Sequence, residues 1–170
     1  MGTILVIADQ KKNKIKKSTL EVISEGARLA KKHGMDLVAA VVGTDISAEA
    51  KTLGYYGANK VYIAENEAFG QYLNPPFVKA YSHIIEQVKP KLVLTPTSEG
   101  VKDFLPGLIA RTGAAGIMDC SEISIEGDTV KVNRPLMAAK AKSTVESNAD
   151  LVLLSIRSGS FDRNEADETL

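Results

Sequence analysis

Over the first 119 residues, apolar stretches of strand length alternate with segments patterned for helix. Thr3 to Ala8, reading TILVIA, is a near-continuous apolar run, the pattern of a strand covered on both faces. Asp9 to Lys17 is polar with five lysines, and Ser18 followed by Glu21 has the spacing of a capping box that opens a helix. Leu20, Ile23, Ala27 and Ala30 mark its buried stripe. Lys31, Lys32 and His33 match the negative end of the helix dipole, and Gly34 supplies a left-handed stop. Asp36 to Val42 reads as a second strand, Ser47 to Leu53 as a short helix capped by Ser47 and ended by Gly54, and Gly57 to Ala64 as a turn leading into a third strand. Asn74 is placed to cap a helix with Pro75 at its first position, and Phe77, Tyr81, Ile84, Ile85 and Val88 share one face of it.

The stretch from Lys91 to Asp119 organises the rest as strand, loop, helix and strand. Pro96 removes a backbone donor where the fourth strand should stop. Thr97, Ser98, Gly100 and Asp103 fall in the polar loop that follows, where hydroxyls and free N–H groups at a helix start can face an anion. Pro106 is expected in the first helical turn, and Gly113 ends the helix.

Beyond Asp119 the helical pattern stops. Ser121 to Ile125 and Thr129 to Asn133 flank Glu126, Gly127 and Asp128 as a hairpin, Lys140 to Glu146 alternates as a half-exposed strand, and Leu151 to Ile156 is apolar enough to rejoin the buried sheet. Strand and helix in alternation require a parallel sheet with right-handed crossovers. The expected fold is a three-layer α/β domain, with a mostly parallel sheet, helices on both faces and a C-terminal antiparallel hairpin extension. It is of the Rossmann-like or adenine nucleotide alpha hydrolase-like kind and occupies residues 1–157. Residues 158–170 read as a tail or the start of a linker.

Charge and composition narrow the function classes. Acidic and basic residues balance at 21 each, so net charge selects neither nucleic acid nor an anionic membrane as partner. Cys120 is the single cysteine, which excludes an intrachain disulfide and any multi-cysteine metal site. With no apolar span near 20 residues and no leader pattern, the reading is a soluble cytoplasmic protein. His33 and His83 both fall on helices, and neither joins a Ser, His and acid constellation. No GxGxxG or GxxxxGK[ST] loop is present, so the expectation is a chain without catalytic residues or a metal site. Ligands of parallel α/β sheets sit outside the strand carboxyl ends. The candidate nucleotide cleft therefore comprises Ala8, Gly43, Asp45, Thr97, Ser98, Gly100 and Asp103, with Asp45 the acid best placed for a ribose hydroxyl. A candidate interface comprises Arg134, Leu136 and Met137, where the strand pattern breaks.

Several segments in order resemble the amino-terminal domain of the electron transfer flavoprotein alpha subunit, over nearly the whole chain. They are the opening strand, the GANKVY segment at Gly57 to Tyr62, and the loop residues Thr97, Ser98, Gly100, Asp103 and Pro106. Ala110, Arg111, Gly113, Gly116, Asp119, Arg134 and Pro135 complete the match. Lys102 and Gly107 stand where the family has arginine, and Ala138 and Ala139 where it has glycine. The resemblance implies an electron carrier of alpha and beta subunits that passes electrons from dehydrogenases to an acceptor through FAD, with this domain as scaffold and interface. It also implies that the FAD-holding carboxyl-terminal domain lies outside these residues, that the partner is a beta subunit or otherwise a second copy of the chain, and that AMP, held by the related beta subunit in a similar fold, is a candidate ligand. The competing readings are a free-standing adenine-nucleotide-binding domain resembling universal stress proteins and a small hydrolase or ligase.

Overall fold

A computed structural model describes residues 2–169. Its first strand, β1 (Thr3–Ile7), is followed by a lysine-rich hairpin, β2 (Gln10–Lys11) and β3 (Lys14–Ile15), then α1 (Lys17–His33), β4 (Asp36–Gly43), α2 (Ser47–Ala50) and β5 (Lys60–Glu65). After these come α3 (Asn74–Val88), β6 (Leu92–Pro96), α4 (Glu99–Thr112) and β7 (Ala115–Cys120). The chain closes with β8 (Glu122–Glu126), β9 (Thr129–Leu136), β10 (Ala141–Ser147) and β11 (Val152–Ile156).

Six strands form one parallel sheet in the order β5-β4-β1-β6-β11-β7. Its apolar runs are buried because both faces are covered. One face carries α1 and the antiparallel sheet β10-β9-β8, with Ile4, Val6, Ile23, Leu37, Leu94, Val130, Val132 and Leu154 in a single apolar cluster. The other carries α3 and α4, packed through Phe77, Tyr81, Ile85, Phe104 and Leu108 onto Leu5, Ile7, Val93 and Leu153. At Gly26, α1 comes so close to the sheet that an added Cβ would sit 3.0 Å from Leu37 Cδ1 and 3.3 Å from Val6 Cγ2.

The parallel sheet, the hairpin across Gly127 and the return of the last apolar run to the sheet agree with the sequence pattern, but several element starts do not. The capping box at Ser18 does not form. Lys16 occupies the cap position without a side-chain bond, and the Thr19 hydroxyl instead accepts from Asp9 N–H and donates to Asp9 C=O, 3.0 Å in each case. Asn74 is the first residue of its helix rather than its cap, and its amide donates to Asp103. Ser47 donates to the Glu65 carboxylate, and the helical stretch runs past Gly54 as a 3-10 helix to Tyr56, where Gly57 (φ 107°) stops it. Pro106 lies inside α4, not in its first turn, because Ser98 caps the helix by accepting from Val101 N–H at 3.3 Å. A side-chain bond thus starts α4 well before the proline, whose missing donor falls on the exposed side.

Residues 158–169 carry no helix or strand and run along α1. Arg28 donates to Asn164 and to the Asp162 carbonyl, Asn164 N–H donates to Ser24, and Phe161 packs on the core beneath.

Candidate functional site

The strand order reverses at β1, since the chain passes from β1 to β4 and β5 on one side and then returns to β6 on the other. A crevice at such a switch point is where open parallel sheets bind ligands. A cavity of about 290 Å³ opens there, between Ala8 at the end of β1, Val42 near the end of β4 and Gly100 in the first turn of α4.

Two chain segments form its walls. On one side stands the β2-β3 hairpin, whose Lys12 (φ 52°) and Asn13 (φ 60°) are both left-handed, as the two-residue type I′ turn requires. It is held by Gln10 Nε2 donating to Val42 C=O at 3.3 Å and by Lys14 and Ile15 N–H bonding Glu49. Those bonds hold the Glu49 carboxyl below its ordinary range, the Lys14 contact first. Lys11, Lys12 and Lys16 all line the cavity against a single carboxylate, Asp9, which pairs with Lys16 at 2.6 Å. In a chain of zero net charge, this is a local concentration of positive charge.

On the other side, the loop 66–73 lays aromatic rings over an aromatic floor. Phe69 and Tyr72 pack on Phe77 with centroids 5.5 and 5.0 Å apart, and Tyr81 stacks on Phe104 at 5.3 Å. The Tyr81 hydroxyl donates to Ala8 C=O at 3.3 Å, and its burial, then the Asp9 charge, push its acidity well below that of free tyrosine. Tyr72 OH donates to Asp103 at 2.6 Å and Asn74 Nδ2 donates to the same oxygen at 2.9 Å, so Asp103 latches the loop to α4. These two donors hold the Asp103 carboxyl below the usual aspartate range. A depressed folded value gives a contribution that is complete above the unfolded value and is lost as pH falls through the folded one. Acidification is therefore expected to raise the rate of proteolytic cleavage within 67–73. Asp103→Asn should make that rate high and independent of pH, whereas a wild-type rate flat across the acid range would show that the latch is elsewhere.

Of the residues singled out from the sequence, Ala8 and Gly100 line the cavity, and Gly43 closes β4 next to Val42. Asp45 is exposed in a left-handed turn (φ 48°) outside the lining. Thr97 turns away, donating to Ser155 Oγ at 2.9 Å, and the Ser98 hydroxyl is taken by the helix cap. Asp103 lies on α4 and is engaged by Tyr72 and Asn74. The lysine hairpin and the aromatic rings were not singled out as site residues. The signal available was five lysines directly after a central strand, at the end of the sheet where ligands bind.

His33 and His83 lie away from this cavity, and among the described residues no group of three or more His, Cys, Asp or Glu is arranged to hold a metal ion. Cys120 is fully buried and its thiol is pushed up to about 12, chiefly by burial, so it is a packing residue at neutral pH.

Residues 4–169 match the electron transfer flavoprotein domain. The chain belongs to the electron transfer flavoprotein family. It is 30% identical over 159 residues to the electron transfer flavoprotein subunit alpha of Syntrophomonas wolfei, covering 94% of this chain and 49% of that protein. To the subunit alpha of Bacillus subtilis it is 26% identical over 164 residues, 96% of this chain and 50% of that one. It also resembles the acryloyl-CoA reductase electron transfer subunit beta of Anaerotignum propionicum, at 29% identity over 123 residues, 72% of this chain and 34% of the relative. The chain spans about half the length of the subunit alpha relatives it matches. These matches favour an electron transfer flavoprotein alpha-like chain over a free-standing nucleotide sensor. No helix among the described residues is long and apolar enough to cross a membrane.

Proposed function

We propose that this chain is the scaffold and interface part of a flavin-dependent electron carrier, acting between dehydrogenases and an acceptor once paired with a beta-type subunit. The observation that carries this reading is the match across 4–169, which reaches through the antiparallel strands as well as the parallel sheet. Those strands include a feature the domain's own core does not use. The β8 strand pairs β9 only as far as Asn133, so Arg134 to Leu136 and their partners Ala141 to Ser143 continue as a two-stranded arm. Arg134 is partly covered, with its Nε buried and unpartnered among the described residues, while Leu136 is 40% and Met137 77% exposed at the tip. Exposed Leu and Met with few charges are the composition of an interface core rather than of open surface.

This reading does not place FAD in the cavity at the switch point, whose volume of about 290 Å³ is at the lower end for ligands of drug size. In this reading the flavin is held elsewhere in the assembled carrier, and no group of this chain is assigned a redox step.

Sedimentation of the purified chain with the beta-type subunit of its source organism tests the proposal. A one-to-one species is expected, with the chain alone colourless. Two independently sedimenting species, or a stoichiometric flavin absorbance on the chain by itself, would overturn it.

A further inference from the structure

We infer that the outer edge of β5 docks a second copy of this chain, the two edges pairing antiparallel about a two-fold axis at Tyr62 so that the two sheets continue as one. This goes beyond the carrier reading and does not depend on it, because β5 closes one edge of the sheet while β9, which carries the exposed arm, packs beside β7 at the other. A complex with a beta-type subunit would keep its one-to-one ratio and double its mass.

The backbone of β5 is half used. Asn59 N–H donates to Leu37 C=O at 2.8 Å, and β5 follows β4 in parallel register from Lys60 to Glu65. Alternation along a strand then turns Val61 and Ile63 toward β4 and leaves the N–H and C=O groups of Lys60, Tyr62 and Ala64 pointing away from the sheet. Those groups have no hydrogen-bond partner among the described residues. An open row of this kind is a template for another strand.

The means by which proteins usually block such an edge are absent from this one. The ladder to β4 runs without a register shift, and no proline lies between Gly57 and Glu65. Lys60 is folded back over the Tyr62 ring, 4.5 Å from its centroid, and the Glu65 carboxylate accepts from Ser47 N–H and Oγ at 2.9 and 2.8 Å. Both charges at the ends of the strand are thus engaged within their own chain. Ile63 meanwhile stays 40% exposed beside the edge.

The pattern selects an identical strand as the occupant. With Tyr62 opposite Tyr62, Lys60 meets Ala64, Val61 meets Ile63 and Asn59 meets Glu65, so no like charges face each other and each exposed Ile63 is covered by a valine. All the outward N–H and C=O groups are then paired, as a closed two-fold interface requires. A slip of one residue sets outward groups against inward ones. The neighbouring allowed registers also fail. One places Lys60 opposite Asn66, whose N–H already donates to Gly43 C=O and whose C=O accepts from the Thr44 hydroxyl. The other places Ala64 opposite Ala58, whose N–H donates to Leu53 C=O.

Sedimentation equilibrium of the purified chain is expected to show a concentration-dependent dimer. Ala64→Pro removes an outward donor and sets its ring in the seam while keeping the bonds of β5 to β4, so it should weaken the dimer at least about 10-fold and leave the melt cooperative. Tyr62→Cys puts a thiol on the axis, where facing Cα atoms of a hydrogen-bonded pair lie about 5.5 Å apart, within disulfide reach. Oxidation should link it into a covalent dimer, whereas Ile63→Cys, which faces Val61, should link far more slowly. Cys120 is fully buried and does not compete. The inference is overturned if the chain stays monomeric at millimolar concentration, if Ile63→Cys links as fast as Tyr62→Cys, or if a folded Ala64→Pro dimerises as wild type does. Should Ala64→Pro fail to fold, the two cysteine variants decide.

Discussion

Leu154→Ala should lower the stability of the chain by about 2–5 kcal/mol, and Leu154→Asp should leave it unfolded at 25 °C. Leu154 is fully buried in β11, opposite Leu94 of β6 on one side and Ile117 of β7 on the other. Alanine removes the contacts of three carbons and leaves a cavity between two strands that are fixed by backbone hydrogen bonds and have little room to collapse inward. Aspartate adds an unpaired carboxylate in an apolar layer, which costs several kcal/mol more and approaches the whole stability of a domain this size. Urea unfolding with linear extrapolation measures the first variant, and a loss under about 0.5 kcal/mol would show that β11 is not structurally central. Circular dichroism reads the second, for which a native-like spectrum would make the same point.

The second large effect is on association. Replacing Leu136 and Met137 together by Asp is expected to weaken pairing with a beta-type subunit by at least about 100-fold, while the melting transition of the free chain stays cooperative. Both side chains are exposed, so the free chain gains two solvated charges and loses little packing. In a complex the same carboxylates would be desolvated without partners, at several kcal/mol. Sedimentation measures the pairing and calorimetry the melt. Association that survives the change places the interface elsewhere, and outright unfolding assigns the arm to the core.

The parallel sheet was legible because its strands are buried on both faces and so read as unbroken apolar runs: TILVI in β1, LVLTP in β6, VLLSI in β11. Their order was not legible. Nothing local in the composition of Val152–Ile156 says that it separates β6 from β7, since that follows from how the antiparallel excursion packs back over α1. Helix starts were misplaced where a cap's function was taken over by tertiary contacts. Thr19 closes on Asp9 rather than Ser18 on its own helix, and Asn74 serves Asp103 rather than the N–H groups after it. For the cleft, the sequence reading took the carboxyl ends of the strands, where the candidate cavity opens, and the hydroxyls of residues 97 and 98. Those side chains satisfy the backbone and Ser155, while the charge comes from a hairpin whose left-handed Lys12 no turn preference would have signalled.

The position of β11 also dictates an order of events during synthesis. β1, β4 and β5 are neighbours in sequence as well as in the sheet, so they can pair as soon as they leave the ribosome. β6 and β7 share no hydrogen bonds and are bridged only by a strand that emerges after the whole antiparallel segment. At about 5–20 residues per second, the sheet carries a vacant slot with two open strand edges for several seconds. Any extended apolar segment can enter such a slot, from this chain or another, and early release or stalling before Ile156 should therefore yield aggregates instead of a smaller stable domain. Chaperone binding to nascent chains ending between Cys120 and Ile156 is the expected trace of that interval.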